Sequence, residues 1–174
     1  MKKAKRIIPI AITLIISLTV GVLGWVINDA TMSGIRITSS KDGVTLRIKL
    51  SNDYQATPSD TLNVNMDLNL KPCRYVDGAF FDEEGNIVNN NNSFVRKFTV
   101  QVTPSQRCLI TASKEVEGDL PVNVICNEQQ IVEGTSLGEA TNITALTLYF
   151  YVDGENFSGS GSSNATITFH GEAV

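Results

Sequence analysis

The side chains that could do chemistry are few. A Ser-His-Asp or Cys-His arrangement must use His170, the one histidine, which stands near the C-terminus with no partner that spacing assigns. It reads as a strand-end residue, exposed or packed at a rim. The three cysteines, Cys73, Cys108 and Cys126, form no Cys-x-x-Cys or Cys-x-x-His pair of the kind that holds zinc. Asp82-Glu83-Glu84-Gly85-Asn86 offers carboxylates and carbonyls to calcium but lacks the spaced ligands and terminal glutamate of a helical calcium loop. It reads as a solvated turn. The paired carboxylates of a glycoside hydrolase are set by a fold and leave no mark in sequence. These residues predict a chain that is not an enzyme and carries neither cofactor nor metal.

The chemistry that spacing does support is done to the chain. Val22 and Gly24 occupy the −3 and −1 positions of a cut ahead of Trp25, where a signal peptidase pocket admits small residues. Lys2, Lys3, Lys5 and Arg6 precede an uncharged run from Ile7 to Ile27. At 1.5 Å per residue, about 21 residues just cross a hydrocarbon layer of roughly 30 Å. The segment is therefore a cleavable export signal or, uncut, a hydrophobic helix that anchors the protein in the membrane. Residues 1–24 form this signal or anchor, and 25–174 form one extracytoplasmic domain, secreted or held at the cell surface.

Composition narrows the partners. The chain has 14 Lys and Arg against 18 Asp and Glu, and four of the basic residues lie in the leader, which leaves the exported part at −8. Nucleic acid is excluded as a partner, because phosphate binding needs clustered cations. The odd cysteine count has two readings. Cys108 and Cys126 lie in strand-like segments separated by a turn, so they could be ladder neighbours joined by a disulfide; alternatively all three are small buried hydrophobes.

After the leader the hydrophobic period is two. Ile35 and Ile37, then Val44, Leu46, Ile48 and Leu50, alternate with polar residues, and Asp42-Gly43 between them predicts a hairpin. Leu62 to Leu70 is the clearest alternation, ended by Pro72. Asp77-Gly78 and the acidic turn flank Phe80 and Phe81, and Asn89 to Asn92 reads as an exposed loop tip. Further strands are predicted over Phe94 to Val102 and Cys108 to Ala112, with a turn over Glu115 to Asp119. Pro121 to Cys126 and Gln130 to Val132 form a hairpin across Asn127-Glu128. Ile143 to Val152 is bulky on both faces, which predicts a central strand covered on both sides or meeting a partner. Ser158 to Ser163 reads as a flexible loop before a closing strand, Ala165 to Phe169. Eight to ten short strands without a helix predict an all-β, antiparallel β-sandwich of jelly-roll or Greek-key type.

The stretch from Gly21 through Trp25-Val26-Ile27-Asn28-Asp29 and Ser33-Gly34 into Ile35-Arg36-Ile37-Thr38 resembles the processing region of Gram-positive exported proteins with a SipW-dependent type signal peptide, the group of camelysin and the TasA-like biofilm matrix proteins. The closing strands, Leu148 to Glu155 and Thr166 to Phe169, are similar to those of many members. The resemblance implies a jelly-roll domain on or released from the cell surface, in some relatives polymerising into fibres by donating an N-terminal strand. In this chain that strand begins at Trp25, Val26 and Ile27, which cleavage would expose as an edge able to augment a neighbour's sheet. The expected function is a structural matrix or fibre subunit whose partners are copies of itself or other matrix proteins, with the membrane reached through the leader. The alternative is a surface module that binds glycan or protein through Phe80-Phe81 to Asn92, or through Tyr149, Tyr151 and Phe157.

Overall fold

The structure, a computed structural model, describes residues 27–51, 58–64, 68–155 and 159–174. They are all-β. The first strand, β1 (Ile27–Gly43), is followed by β2 (Leu46–Leu50), β3 (Thr61–Val64), β4 (Leu68–Asn69), β5 (Arg74–Val76), β6 (Ala79–Phe81) and β7 (Val95–Pro104). Then come β8 (Cys108–Gly118), β9 (Val122–Cys126), β10 (Gln129–Gln130), β11 (Thr135–Ala140), β12 (Thr144–Val152) and β13 (Gly159–Ala173). One sheet has the order β11-β8-β13-β1-β3, with β4 also on β1; a second has the order β10-β9-β12-β7-β2; β5 and β6 form a separate hairpin.

The chain alternates between the two main sheets: β1, β3 and β4, β8, β11 and β13 in the first, β2, β7, β9, β10 and β12 in the second. Each crossing lets one apolar face be closed by the next strand of the other layer. Ile35, Ile37, Ile110, Ala112, Ile167 and Phe169 from the first sheet share one core with Ile48, Val100, Val102, Leu146, Leu148 and Phe150 from the second. Period-two alternation produces this directly, since every second side chain points inward.

Several expectations need correction. Asp42-Gly43 does not make a hairpin of adjacent strands, because β1 and β2 belong to different sheets. Gly43, at φ +88°, lies so close to the Gly171 carbonyl that a Cβ would overlap it, and Val44 N–H donates to that oxygen at 2.8 Å as the chain crosses over. The ladders are not all antiparallel: β1 pairs in parallel with β13, through Ile35 with Ala165, Ile37 with Ile167 and Ser39 with Phe169. Residues 115–118 continue β8 instead of turning, because β13 pairs with them to Gly118. Residues 159–163 are likewise strand, paired with β1 and, at Ser163, also with Gly118 of β8. The strand β11 interrupts its alternation with a bulge at Gly138, φ +98°, which hides it from a period-two reading.

Other expectations hold. Asn127 (φ 49°) and Glu128 (φ 62°) form the tight turn of β9 and β10, while Asp77 (φ 48°) and Gly78 (φ 85°) form that of a further hairpin, β5 and β6, which strand patterning did not assign. The strand β12 lies between β9 and β7 and is covered on both faces. Its inner residues meet the main core, while Tyr149 and Tyr151 meet a second cluster of Cys73, Phe80, Val88, Val95 and Ile125. The cover is the β5–β6 hairpin.

Candidate functional site

The outer face of the second sheet carries an aromatic assembly of four rings that reaches solvent. Phe80, buried, is the hub. Its ring centroid lies 4.8 Å from that of Tyr75, 5.9 Å from Tyr149 and 5.2 Å from Tyr151, in the tilted and edge-on arrangements that aromatic quadrupoles favour. Asn89 Oδ1 accepts the Phe80 N–H at 2.6 Å and so ties the asparagine loop to the hairpin. Between hairpin and sheet opens a cleft of about 250 Å³, lined by Tyr75, Phe80 and Tyr149 with Asn89, Asn90 and Glu128 at its polar side. Burial, then the nearby Glu128 and Tyr149, push the Tyr75 phenol up from its ordinary value, so the ring stays a neutral donor. Lys97 Nζ stands 5.7 Å from the Tyr149 centroid, a cation over the outer ring. The arrangement can stack a flat apolar face and hydrogen-bond its edge.

No family model matches the chain, and no curated protein matches it.

The sequence-predicted residues are distributed unevenly around this cleft. Phe80 and Tyr149 belong to it. Tyr151 is buried beneath it rather than presented to solvent, because β12 is roofed by the hairpin. Phe81 points away, with the Arg74 guanidinium 5.9 Å from its ring. Phe157, and the processing and assembly positions Val22, Gly24, Trp25 and Val26, lie outside the described residues. Ile27 opens β1, its backbone in register with Gly159. In the acidic turn Asp82 Oδ1 accepts the N–H groups of Glu84 (3.0 Å) and Asn86 (2.7 Å), while the Asn86 amide donates to Asp82 Oδ2 (3.1 Å). These carboxylate oxygens fasten a turn.

Cys108 and Cys126 are free, buried thiols, as is Cys73. They are not ladder neighbours: β8 and β9 belong to opposite sheets, so the turn between them carries the chain across the core. Cys108 is in register with Ala140 and Ala173, and Cys126 with Leu148 and Gln129. Burial pushes the Cys126 thiol up to about 11. At Cys73 burial, assisted by Asp153, pushes it up to about 12.

A polar constellation that sequence reading passes over lies at the open end of β9. Lys114 Nζ donates to Val122 O at 2.9 Å and to Asn123 Oδ1 at 2.7 Å. Gln130 Nε2 donates to the same Oδ1 at 2.9 Å, and Asn123 Nδ2 faces Asp153 Oδ2 at 3.4 Å. These residues come from β8, β9, β10 and the end of β12, so no local spacing announces them. The nearest signal is a lysine in the inward row Cys108, Ile110, Ala112, Lys114, Val116, where an apolar residue is expected.

Proposed function

We propose that the chain is an exported structural subunit, secreted or held at the cell surface, that assembles with copies of itself or with other matrix proteins by exchange of its first strand. The observation that carries this reading is the position of β1. The first strand after the leader lies inside a sheet, in parallel register with the last strand, β13, and antiparallel to β3. A parallel neighbour needs no connecting turn. The same pairings would form if β1 came from a second molecule, so exchange between copies leaves the ladder energetics nearly unchanged. Removing the leader ahead of Trp25 would free the strand's beginning, whereas retaining it would tether one domain to the membrane. The alternation of strands between two packed sheets supports a sandwich of jelly-roll or Greek-key type, in keeping with the resemblance to the TasA-like group. The net acidic domain argues against nucleic acid as a partner.

The test compares the full chain with residues 25–174 by sedimentation over a wide concentration range, with electron microscopy of the same samples. Oligomers or fibres that appear on removal of the leader support strand exchange. A cleaved protein that stays monomeric at every concentration sinks it.

A second reading rests on the aromatic cleft: a surface module that stacks a sugar ring between Tyr75 and Tyr149 and hydrogen-bonds it through Asn90 and Glu128. A glycan array is the direct measurement, with Tyr149→Ala as the control that should abolish any signal. An array without signal removes this reading and leaves the first untouched.

A further inference from the structure

Lys114 occupies the fourth inward position of β8 and is the one cation in its row. Its amine reaches the start of β9, ahead of the residues that β10 covers, and ends against the side-chain carbonyl of Asn123 at 2.7 Å. The Asn123 amide nitrogen faces the Asp153 carboxylate at 3.4 Å, and Gln130 donates to the Asn123 carbonyl oxygen at 2.9 Å. An amine beside a carboxamide, with a carboxylate at its leaving nitrogen and a donor at its oxygen, is the equipment for amide exchange.

We propose that Lys114 and Asn123 join in an intramolecular isopeptide bond, with Asp153 carrying the proton. The neutral Lys114 amine swings off Oδ1 and attacks Asn123 Cγ from above the carboxamide plane, while Gln130 and Asp153 keep their places at Oδ1 and Nδ2. The Nζ–Cγ bond forms and negative charge gathers on Oδ1, where the Gln130 amide already points. Asp153 takes a proton from the attacking nitrogen and passes it to Nδ2. The Cγ–Nδ2 bond then breaks, ammonia departs and the carbonyl reforms. One amine and one primary amide become one secondary amide and ammonia, and nothing is oxidised or reduced.

The surroundings favour the reactive form. Burial lowers the Lys114 amine below its ordinary value, only partly opposed by the Asp153 charge, so a larger share of the amine is neutral than in water. The product would fasten β8 of the first sheet to β9 of the second, across the loop of Asp119, Leu120 and Pro121. It would also replace a charged lysine head, half buried, with a neutral amide.

Lys114 is the last lysine or arginine of the sequence, so a tryptic digest of the denatured full chain reads the bond directly. With the bond formed, trypsin cannot cut after Lys114, and the C-terminal product is 108–174, lighter than its sequence mass by one ammonia. A further cut at Glu115 and Glu117 leaves two peptides still joined. Fragments 108–114 and 115–174 at their full sequence masses overturn the proposal. Lys114→Arg should restore the full mass and cleavage after residue 114. Asp153→Ala, which keeps both reacting groups, should lose the linked product; a variant that links to the same extent as the parent overturns the role of Asp153. The parental digest decides the bond alone, so a variant that fails to fold leaves the test intact.

Discussion

A serine hydroxyl secures the turn that leads from β8 into β9. Ser163, buried on β13, accepts the Leu120 N–H at 2.8 Å and lies 3.4 Å from the Leu120 carbonyl oxygen, which its hydroxyl can reach as donor. Nothing else fits beside it: a Cβ on Gly118, φ +124°, would overlap the Ser162 carbonyl oxygen. Ser163→Ala should therefore leave a buried donor unpaired and lower stability by about 1–3 kcal/mol, read as a shifted urea midpoint at unchanged slope. An unchanged midpoint would mean that water replaces the hydroxyl. The thiols make a second prediction at this scale. Cys73 and Cys126 hold their protons more tightly folded than unfolded. Above the ordinary thiol value the unfolded chain loses protons that the folded chain keeps, so their contribution to stability is complete below about pH 8.5 and is lost as pH rises through the range where the folded thiols titrate. The urea midpoint should fall as pH is raised from about 8 to about 11, and the native thiols should resist alkylation at neutral pH. Fast labelling of the native protein would contradict the burial of all three.

At the scale of elements, the β5–β6 hairpin decides how the second sheet meets solvent. Phe80 fastens it to the sheet through Tyr149 and Tyr151 and packs on Tyr75 of its own hairpin, and Phe80→Ala should cost about 3–5 kcal/mol, because the ring's transfer energy is lost and a cavity remains. The same variant should raise the exposure of Tyr149 and Tyr151, measured as a shift in tyrosine fluorescence and solvent quenching. A loss under about 1 kcal/mol would mean that the hairpin does not pack as a roof. How much of this was legible follows from what each element asks of its residues. The tight turn at Asp77-Gly78 was readable because positive φ restricts residue choice locally. The bulkiness of both faces of β12 was readable because a covered strand must be apolar twice over. Residues 159–163 read as a linker because Gly and Ser dominate, yet their smallness is a packing demand: a Cβ on Gly161 would sit 3.2 Å from Leu120 Cδ2. The crossing at Gly43 looked like a hairpin because composition records a turn but not which sheet receives the next strand. For the same reason the cleft was half visible, through Phe80 and Tyr149, while Lys114, Asn123 and Asp153 share a site only because three strands converge.

At the scale of the molecule, the placement of β13 governs when the fold can form. In the first sheet β13 lies between β8 and β1, so without it β11-β8 and β1-β3 are separate pieces, each with an uncovered edge. It also supplies Ala165, Ile167 and Phe169 to the shared core. Because β1 and β13 stand at opposite ends of the described chain, closing their ladder requires most of the sequence to be in hand, which loads the entropy of loop closure onto a late step. A chain that cannot close until its last strand arrives stays extended for longer, which suits passage through a membrane in the exported reading proposed above. A truncation ending at Glu155 should then give no cooperative unfolding transition, by circular dichroism or by denaturant. Added in trans, a peptide of residues 159–174 should restore strand signal and a sigmoidal transition, because the β8–β13–β1 ladders need no covalent link. A truncated chain that unfolds cooperatively by itself would show that the second sheet and its hairpin form an independent unit, and the late-closure account would fall.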